Sequence, residues 1–303
     1  MKSTLFITGA TGFIGSHLLQ RLNAGDFETV FCLTRGRTGA VPDDTPSNVR
    51  YLAGDLFDAA AYSSALSSSD TVLHLAAATG NATAHEHFRT NVDGTRFLIS
   101  QCQALGLQRF LYVSSIAARF ADVRRYPYAQ SKQQAEAAVR GSGLRYTIVR
   151  PTIVLGRGSP IGQRLQTLAS ASLTPVIGRG SSRIQPIDVD DLADCLLSIV
   201  LGHRFDGEVL ELGGPDVLTM LSLLRRIHQV RFRKDPRLLY LPYRPLQTAL
   251  ALAERLPIRL PVTAGQLASF ANDGVAEPHN LPRGQPSQLT GIDEMIQHLM
   301  RDA

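Results

Sequence analysis

A glycine-rich stretch close to the start of the chain constrains the fold more than any other feature. Residues 8–15 read TGATGFIG, with Gly9, Gly12 and Gly15 at three-residue spacing. The stretch follows the apolar run STLFI, which favours a β-strand, and precedes SHLLQRL, whose leucines fall on one helical face. The glycines therefore lie at a predicted turn from a strand into a helix.

This turn has the chemistry of an anion site. Gly9 can adopt a backbone conformation closed to other residues, Gly12 lets a ligand approach the main chain, and Gly15 allows the helix to pack closely on the strand. The N–H groups and positive dipole end of the helix favour a pyrophosphate. The spacing G-x-x-G-x-x-G departs from the G-x-G-x-x-G fingerprint, so a turn without a ligand stays an alternative. The predicted contacts of a dinucleotide in this turn are Gly9, Thr11, Gly12, Phe13, Ile14 and Gly15.

Length and composition indicate a globular protein outside the membrane. The chain has 303 residues, enough for one large α/β domain with a smaller appendage or for two domains. No apolar run approaches the roughly 18 to 20 residues of a membrane span, and the first residues lead into a strand without a signal-peptide pattern. Cys32, Cys102 and Cys195 lie singly in apolar or helical segments, without disulfide or metal spacing. We therefore expect a reduced, cytoplasmic compartment.

Strand and helix patterns alternate along the first half of the chain. Helical periodicity, as in DGTRFLISQCQALG and SKQQAEAAVRGSG, separates six apolar runs: TLFITG, TVFCLT, VRYLAG, TVLHLAA, RFLYVSS and YTIVRP. The alternation predicts an α/β fold with a doubly wound parallel Rossmann-type sheet. After about residue 155 the pattern loosens into turn signals. We predict a dinucleotide-binding core over residues 1–155, with the last strands interleaved with a smaller substrate region over residues 156–303.

Positive charge is concentrated in one part of the chain. The formal net charge is +5, and residues 225–259 contain nine Lys or Arg against two Asp or Glu. Leucines and tyrosines alternate with these cations in LLYLPYRPLQTALALAERL. Three interpretations stay open: an ordinary solvated surface, a surface for an anionic membrane or an apolar substrate tail, and a site for an anionic substrate. The cations at the start of the stretch are Arg225, Arg226, Arg231, Arg233, Lys234 and Arg237.

An ordered series of short motifs follows the glycine turn: GDL (54–56), HLAA (74–77), NVDGT (91–95), VSS (113–115), YAQSK (128–132) and RPT (150–152). The series resembles the extended short-chain dehydrogenase/reductase superfamily, which includes nucleotide-sugar epimerases and dehydratases. The resemblance covers about residues 3 to 215. It implies a nicotinamide cofactor and a small-molecule substrate, with no nucleic-acid partner and a monomeric or dimeric state.

Tyr128 and Lys132 carry the predicted chemistry. They are four residues apart, so on a helix that starts near Pro127 they share a face. A nearby ammonium favours the phenolate, so we expect Lys132 to lower the pKa of Tyr128 and to make it a general acid/base. The resemblance implies that Lys132 also holds the nicotinamide ribose and that Ser115 orients the substrate oxygen. The alternative is an exposed aromatic residue beside a solvated lysine.

The interval between Ser115 and Tyr128 contains only twelve residues. This interval is shorter than in the sugar-nucleotide epimerases of the resembled family. It argues against a large nucleotide-sugar pocket.

The end of the second predicted strand favours NADP(H) over NAD(H). Where an NAD-binding protein would place an acidic residue on the adenosine ribose, this chain has Thr34 and Arg35, with Arg37 beyond. A guanidinium can bind a 2′-phosphate through two charge-assisted hydrogen bonds. The alternative is that these arginines lie in solvent.

The resemblance also assigns positions along the rest of the cofactor. It implies that Asp55 contacts the adenine with Leu56 beside it, and that Ala76 and Ala77 let the cofactor lie close. It places Pro151 and Ile153 against the nicotinamide amide. His74 is expected to be a buried structural residue, and Asn91 is expected to be architectural.

The C-terminal third carries a second resemblance. The strings IDVDDLADCLLSIV, GEVLELGGPDVLTMLSLLRRI and PVTAGQLASFANDGV are similar to the branch that includes the nucleotide-binding accessory subunit of respiratory complex I. Two hypotheses follow. The chain is an NADP-dependent oxidoreductase or epimerase acting at a hydroxyl or carbonyl carbon, or it binds the dinucleotide as a structural or assembly protein without turnover.

Overall fold

A seven-stranded parallel sheet forms the centre of the computed structural model, which describes residues 3–36, 46–254, 263–277 and 289–300. The strand order is β11-β6-β5-β4-β1-β2-β3. All six neighbouring pairs run parallel, as the alternation of strands and helices predicts. The doubly wound α/β class is therefore confirmed.

Strands and helices alternate along the chain up to the sixth strand, except that the described residues contain no helix between the second and third strands. The strands are β1 (Thr4–Thr8), β2 (Thr29–Thr34), β3 (Val49–Ala53), β4 (Thr71–His74), β5 (Arg109–Val113), β6 (Arg145–Pro151), β7 (Val154–Leu155), β8 (Thr174–Ile177), β9 (Arg183–Ile184), β10 (Ile187–Asp188), β11 (Val209–Leu212), β12 (Leu218–Thr219) and β13 (Leu238–Leu241). The helices are α1 (Phe13–Gln20), α2 (Ser63–Ser67), α3 (Ala84–His87), α4 (Gly94–Ala104), α5 (Pro127–Arg140), α6 (Pro160–Ala169), α7 (Val189–Leu201), α8 (Met220–Phe232), α9 (Tyr243–Ala253), α10 (Ala268–Ala271) and α11 (Ile292–Met300).

Both faces of the sheet are covered. Leu5 and Ile7 of β1 pack on one face with α1 and α7, whereas Phe6 packs on the other face with α4 and α5. These three side chains are fully buried. The burial explains why the strands are continuous apolar runs rather than alternating ones. Cys32 and Cys195 are buried on the face covered by α1 and α7, and Cys102 is buried on the face covered by α4 and α5.

The strand order reverses between β1 and β4, which are neighbours although two strands intervene in sequence. In an open parallel sheet, the loops that leave the carboxyl ends at such a point diverge to opposite faces and leave a crevice. The glycine turn follows β1 into this crevice. The fold therefore places residues 8–15 at the position where doubly wound proteins bind ligands.

Residues after β6 form a second packed unit and also complete the sheet. α6, α8 and α11 enclose a separate apolar core that includes Leu165, Leu223, Ile296 and Leu299. β11 returns to the edge of the central sheet beside β6. The division of domains at residue 155 stays a prediction. Within the described ranges, no helix is long and apolar enough to cross a membrane.

The glycine turn has the predicted backbone geometry. Gly9 has a φ of +78°, in the left-handed region. A Cβ atom on Gly15 would lie 2.3 Å from the carbonyl oxygen of Gly9 and 2.6 Å from Cα of Ala10. Since both neighbours are backbone atoms, no side chain can move aside. Gly15 therefore sets how closely α1 approaches the end of β1.

We predict that Gly15→Ala destabilises the fold, whereas Gly25→Ala does not. Overpacking costs about 1 to 3 kcal/mol, and the better helix propensity of alanine returns at most about 1 kcal/mol of this at Gly15. A Cβ on Gly25 meets no atom within 4 Å, so that substitution serves as the matched control. Urea unfolding measures both variants. Equal free energies of unfolding would contradict the close packing at Gly15.

Candidate active site

A cavity of about 280 Å³ lies at the carboxyl ends of β1 to β4. Of the predicted cofactor residues, eight line it: Gly9, Thr11, Gly12, Arg35, Asp55, Leu56, Ala76 and Ala77. Thr8, Leu33, Thr34, Gly54, Phe57, Leu75 and Thr90 complete the wall. The structure thus brings together residues from four separate loops. Their individual contacts with a cofactor stay predictions.

The start of α1 fits a pyrophosphate. Gly12 is the N-cap residue, no side chain caps the helix, and its first turn contains no acidic residue. The first N–H groups of the helix therefore have no side-chain acceptor, and their dipole favours an anion. A Cβ on Gly9 would lie 2.6 Å from the backbone nitrogen of Ala76, so the loops after β1 and β4 touch through their main chains. This glycine-lined cradle fits a dinucleotide.

The end of β2 presents a cation to the same cavity. Arg35 is exposed, whereas Thr34 before it is buried. Within the described ranges, Arg35 has no ion-pair partner, so its guanidinium is available to a ligand. Asp55 is exposed on the facing loop, and its carboxylate accepts a 3.0 Å hydrogen bond from the N–H of Phe57. Arg37 lies outside the described residues.

Ser115 and Tyr128 lie together beyond β5. Ser115 begins the 3₁₀ turn Ile116–Arg119, and its hydroxyl accepts a 3.2 Å hydrogen bond from the N–H of Ala117. α5 begins at Pro127, as predicted, with Tyr128 half-buried in its first turn. Burial raises the pKa of Tyr128, and hydrogen bonding with the Ser115 side chain opposes this rise. The two predicted catalytic hydroxyls are therefore neighbours.

The position of Lys132 corrects one expectation. Its ammonium lies beneath the site, 2.9 Å from the carbonyl oxygen of Val113 and 3.3 Å from the hydroxyl of Tyr112. Burial lowers the pKa of Lys132 to about 7, against the charge of Glu136. The expectation that Lys132 lowers the pKa of Tyr128 is wrong for this arrangement. The reason is that the Val113 carbonyl and the Tyr112 hydroxyl, both on β5, bind the ammonium, and that desolvation has the largest effect on the pKa of Tyr128.

A buried polar chain leads from Lys132 to the cavity loop. Lys132 contacts the Tyr112 hydroxyl, which is hydrogen-bonded to the Thr95 side chain. The Thr95 hydroxyl donates to the carbonyl of Asn91, so it accepts a hydrogen bond from Nε2–H of His74 at 2.9 Å. The Nδ1 atom of His74 then accepts a hydrogen bond from the hydroxyl of Thr8 at 2.6 Å. Burial lowers the pKa of His74 to about 3, with a further contribution from the charge of Lys132. His74 is thus a neutral structural residue, as predicted.

Asn91 fixes the loop after β4 to α5. Its side chain accepts the N–H of Ala78 at 2.7 Å, and it donates to the carbonyl of Ala78 and to the hydroxyl of Ser131. It lies in a π-helical segment, Phe88–Asp93, between α3 and α4. The extra residue of a π turn re-aims side chains at functional sites. The architectural role predicted for Asn91 agrees with these contacts.

An ion network behind the site went unrecognised in the sequence. Arg150 donates to both oxygens of Glu136, at 2.8 and 2.7 Å, and lies 3.2 Å from Glu211. Arg119 lies 3.3 Å from the same Glu211 carboxylate. Burial favours a raised pKa at Glu136, but hydrogen bonds from Arg150 and Ser114 hold it below its usual value. The network joins β6, α5 and β11 next to Ser115, and the RPT string was its only sequence signal.

The remaining predicted cofactor residues do not line the cavity. Pro151 is buried at the end of β6, and Ile153 is half-buried against the C-terminal core. Phe13, Ile14 and Gly15 belong to the first turn of α1 but do not line the cavity. The sequence did not indicate that Phe57 and Thr90 line the cavity, although these residues adjoin the GDL and NVDGT strings. Whether Pro151 and Ile153 face a nicotinamide stays a prediction.

His87 is a further residue that the sequence did not indicate. Its ring centroid lies 5.6 Å from that of Tyr128, and its Nδ1 lies 3.1 Å from the carbonyl oxygen of Ala78. Burial lowers its pKa, which keeps the imidazole neutral. It therefore packs against the tyrosine without adding a charge.

The fold and cavity define a dinucleotide-binding protein of the doubly wound class, and comparison with known proteins gives the family. The sequence profile described as "NAD dependent epimerase/dehydratase family" matches residues 5–213. The chain belongs to this family. It is an NAD(P)-binding enzyme of the oxidoreductase or epimerase kind, as the motif series predicts.

Individual relatives agree with this assignment. The chain is 33% identical to the ceramide reductase of Caulobacter vibrioides over 84% of this chain and 78% of that protein. It is 27% identical to the Arabidopsis thaliana protein NADH dehydrogenase [ubiquinone] 1 alpha subcomplex subunit 9, over 84% of this chain and 65% of the other. The solved dTDP-glucose 4,6-dehydratase DesIV from Streptomyces venezuelae, with NAD and TYD bound, is 25% identical. The structural match covers 79% of this chain and 84% of DesIV, with a TM-score of 0.67.

The buried ammonium predicts a pH-dependent stability. The pKa of Lys132 is about 7 in the fold and near its ordinary 10.5 in the unfolded chain, so the unfolded state binds more protons between these values. Stability from this residue therefore rises with pH above about 7. Between pH 7 and 8.5, the free energy of unfolding should increase by about 1 to 2 kcal/mol relative to Lys132→Met. Denaturant titrations at both pH values measure it, and a constant difference between the two proteins would contradict the lowered pKa of Lys132.

Proposed function

We propose that this chain is an NADP(H)-dependent oxidoreductase of the extended short-chain type that interconverts a hydroxyl and a carbonyl group. The observation that carries the proposal is the pairing of an Arg35-lined dinucleotide cavity with adjacent Ser115 and Tyr128 hydroxyls. An exposed guanidinium at the end of β2 suits a 2′-phosphate, which a carboxylate there would repel. The buried thiols suit a reduced, cytoplasmic compartment.

The proposed roles of the residues follow from their positions. The nicotinamide, when bound, supplies or accepts the hydride at the substrate carbon. Tyr128 gives a proton to the substrate oxygen in the reductive direction and takes it back in the oxidative one. Ser115, beside the phenol, orients that oxygen. Because burial raises the pKa of Tyr128, its phenol is protonated at neutral pH and can act as the proton donor in the reductive direction.

In this scheme, Lys132 positions the cofactor and does not exchange protons with the substrate. Its contacts with Val113 and Tyr112 fix its ammonium directly below the site. From there it can donate to a ribose hydroxyl, as in the resembled family. Ribose oxygens would replace part of the hydration that burial removes, and this would raise the pKa of Lys132 from about 7.

The substrate class is inferred from a relative and from the short interval after Ser115. The ceramide reductase is a curated relative at 33% identity, and its name describes the reduction of a lipid. Twelve residues between Ser115 and Tyr128 leave little chain to enclose a nucleotide-sugar. We therefore propose an apolar carbonyl or hydroxyl compound as substrate, with net redox rather than epimerisation.

A second candidate function is that of a cofactor-binding structural or assembly protein without turnover. The similarity to the complex I accessory subunit of Arabidopsis thaliana favours it. A structural role has no physical need for adjacent Ser115 and Tyr128 hydroxyls above a buried lysine. The two functions differ in whether bound cofactor is oxidised when carbonyl compounds are added.

Cofactor preference tests the role of Arg35. Fluorescence titration should show tighter binding of NADPH than of NADH, and Arg35→Ala should narrow the gap by about 1 to 3 kcal/mol. Arg50→Ala is the matched control, because Arg50 is also exposed but does not line the cavity. Equal affinity of the unaltered protein for both cofactors would refute the preference.

Removal of one hydroxyl tests the chemistry. Tyr128→Phe keeps the ring and its packing, so NADPH affinity should survive while carbonyl-dependent oxidation of NADPH falls by at least about 100-fold. Tyr146→Phe removes a phenol at the opposite end of the sheet and should leave the rate unchanged. Unchanged turnover in Tyr128→Phe would exclude the tyrosine as acid/base and favour the structural function.

A further inference from the structure

The basic part of the sequence folds into one exposed end of the C-terminal unit. Five large apolar side chains are exposed there: Leu173 by 50%, Val230 by 39%, Phe232 by 39%, Leu239 by 44% and Tyr240 by 53%. Four exposed cations accompany them: Arg231, Arg233, Lys234 and Arg237. We call this set the β13 surface. Residues 255–259 of the basic stretch lie outside the described residues.

Hydrogen bonds show that the members of the β13 surface are close in space. β13 pairs with β8, and the N–H of Thr174 donates to the carbonyl of Arg237 at 2.7 Å, which places Leu173 beside the start of β13. The carbonyl of Ala169 accepts both the Thr174 hydroxyl and Nδ1–H of His228. The His228 ring lies 4.7 Å from that of Phe232 at the end of α8. The C-terminal end of α8 and the start of β13 therefore lie close together, next to Leu173.

The cations of this surface lack compensating acids. In the part of the chain that the structure describes, none of Arg231, Arg233, Lys234 and Arg237 forms an ion pair. Asp235 is the one acidic residue between Arg225 and Arg237, and its carboxylate accepts from Gln229 instead. By contrast, Arg226, earlier in α8, pairs with Asp293 at 2.9 Å. Four cations against one acidic residue thus leave an excess of positive charge around exposed apolar side chains.

We propose that the β13 surface docks this protein on an anionic lipid bilayer. A bilayer offers negative headgroups and, just beneath them, an apolar layer that can accept the Leu239, Tyr240 and Phe232 side chains. A soluble polyanion would match the four cations but would leave these side chains in water. A lipid bilayer therefore accounts for both the exposed apolar side chains and the cations around them, whereas a polyanion accounts for the cations alone.

The chain continues from this surface towards the proposed active site. α9 follows β13 directly, has no fully buried residue, and exposes Leu252 by 56%. Glu254, the residue after α9, accepts the N–H of Ala264 at 2.6 Å, and a Cβ on the next residue, Gly265, would lie 2.7 Å from the carbonyl oxygen of Arg125. The end of α9 therefore lies near the loop that leads to Tyr128. Docking would bring this loop near the membrane. The inference itself does not depend on the proposed function.

Sedimentation with vesicles tests the proposal on the full chain. We expect binding to phosphatidylcholine vesicles that contain phosphatidylserine, and none to phosphatidylcholine alone. Each surface-proximal cation contributes about fivefold to affinity, so a variant with Arg231→Ala, Arg233→Asn and Lys234→Ala should bind about 100-fold more weakly. Asn is chosen at position 233 because Arg233 has a φ of +54°. High salt should release the unaltered protein.

Two further variants separate charge from apolar insertion and provide the control. Leu239→Ser with Tyr240→Ser should weaken binding by about tenfold or more while all cations are kept. Arg50→Ala, Arg96→Ala and Arg145→Ala together remove three exposed cations elsewhere on the sheet and α4, and should leave binding unchanged. Thermal unfolding and NADPH binding, which do not involve this surface, verify that each variant is folded.

The outcomes that would overturn the proposal are distinct from failure of the proposed function. They are absence of binding to acidic vesicles at low salt, equal loss in the control variant, and retention on heparin with no binding to vesicles. If a variant does not fold, salt-dependent release of the unaltered protein from acidic vesicles still decides the matter. None of these measurements reports on turnover.

Discussion

The close contact of three backbone segments at the end of β1 determines where everything else in this site lies. Gly15 brings α1 against the carbonyl of Gly9, and Gly9 in turn touches the backbone of Ala76 after β4. Side chains at these glycine positions would push the helix and the two strands apart. The uncapped N-terminus of α1 is thereby held at the reversal point of the sheet, over a cavity whose walls come from four loops. Cofactor binding in this enzyme therefore depends first on main-chain packing and only then on specific side chains.

A desolvated lysine dominates the electrostatics behind the site. Burial costs Lys132 much of its affinity for a proton, and its pKa falls to about 7. The same burial raises the pKa of Tyr128, so the two groups do not form the ammonium and phenolate pair that their spacing alone favours. Nearby, Glu136 stays ionised because Arg150 donates to both of its oxygens. Charge behind the site is thus balanced by the acids and arginines of the network, while the proposed reacting hydroxyls at its front stay neutral.

Much of the fold could be predicted because local patterns and the global fold agree. The apolar runs became the six strands β1 to β6, and Pro127 did start α5, since buried strands and helix starts leave strong local signals. The cavity residues could be anticipated because parallel strands end at one edge. Glu136, Glu211 and His87 could not, because their partners come from distant segments. The pKa of Lys132 depends on burial by elements that no local pattern describes. The surface formed by α8 and β13 was visible in the sequence as cations interleaved with leucines and tyrosines, but which of these side chains are exposed depends on the pairing of β13 with β8.

The account depends on where a bound cofactor lies relative to Arg35 and Tyr128, and a crystal structure of the protein with NADPH measures this most directly. The account predicts the 2′-phosphate within hydrogen-bonding distance of the Arg35 guanidinium and the pyrophosphate at the N-terminus of α1. It also predicts the nicotinamide beside the Tyr128 hydroxyl, with its ribose on Lys132. A 2′-phosphate in solvent, or a nicotinamide away from Tyr128 and Lys132, would contradict it.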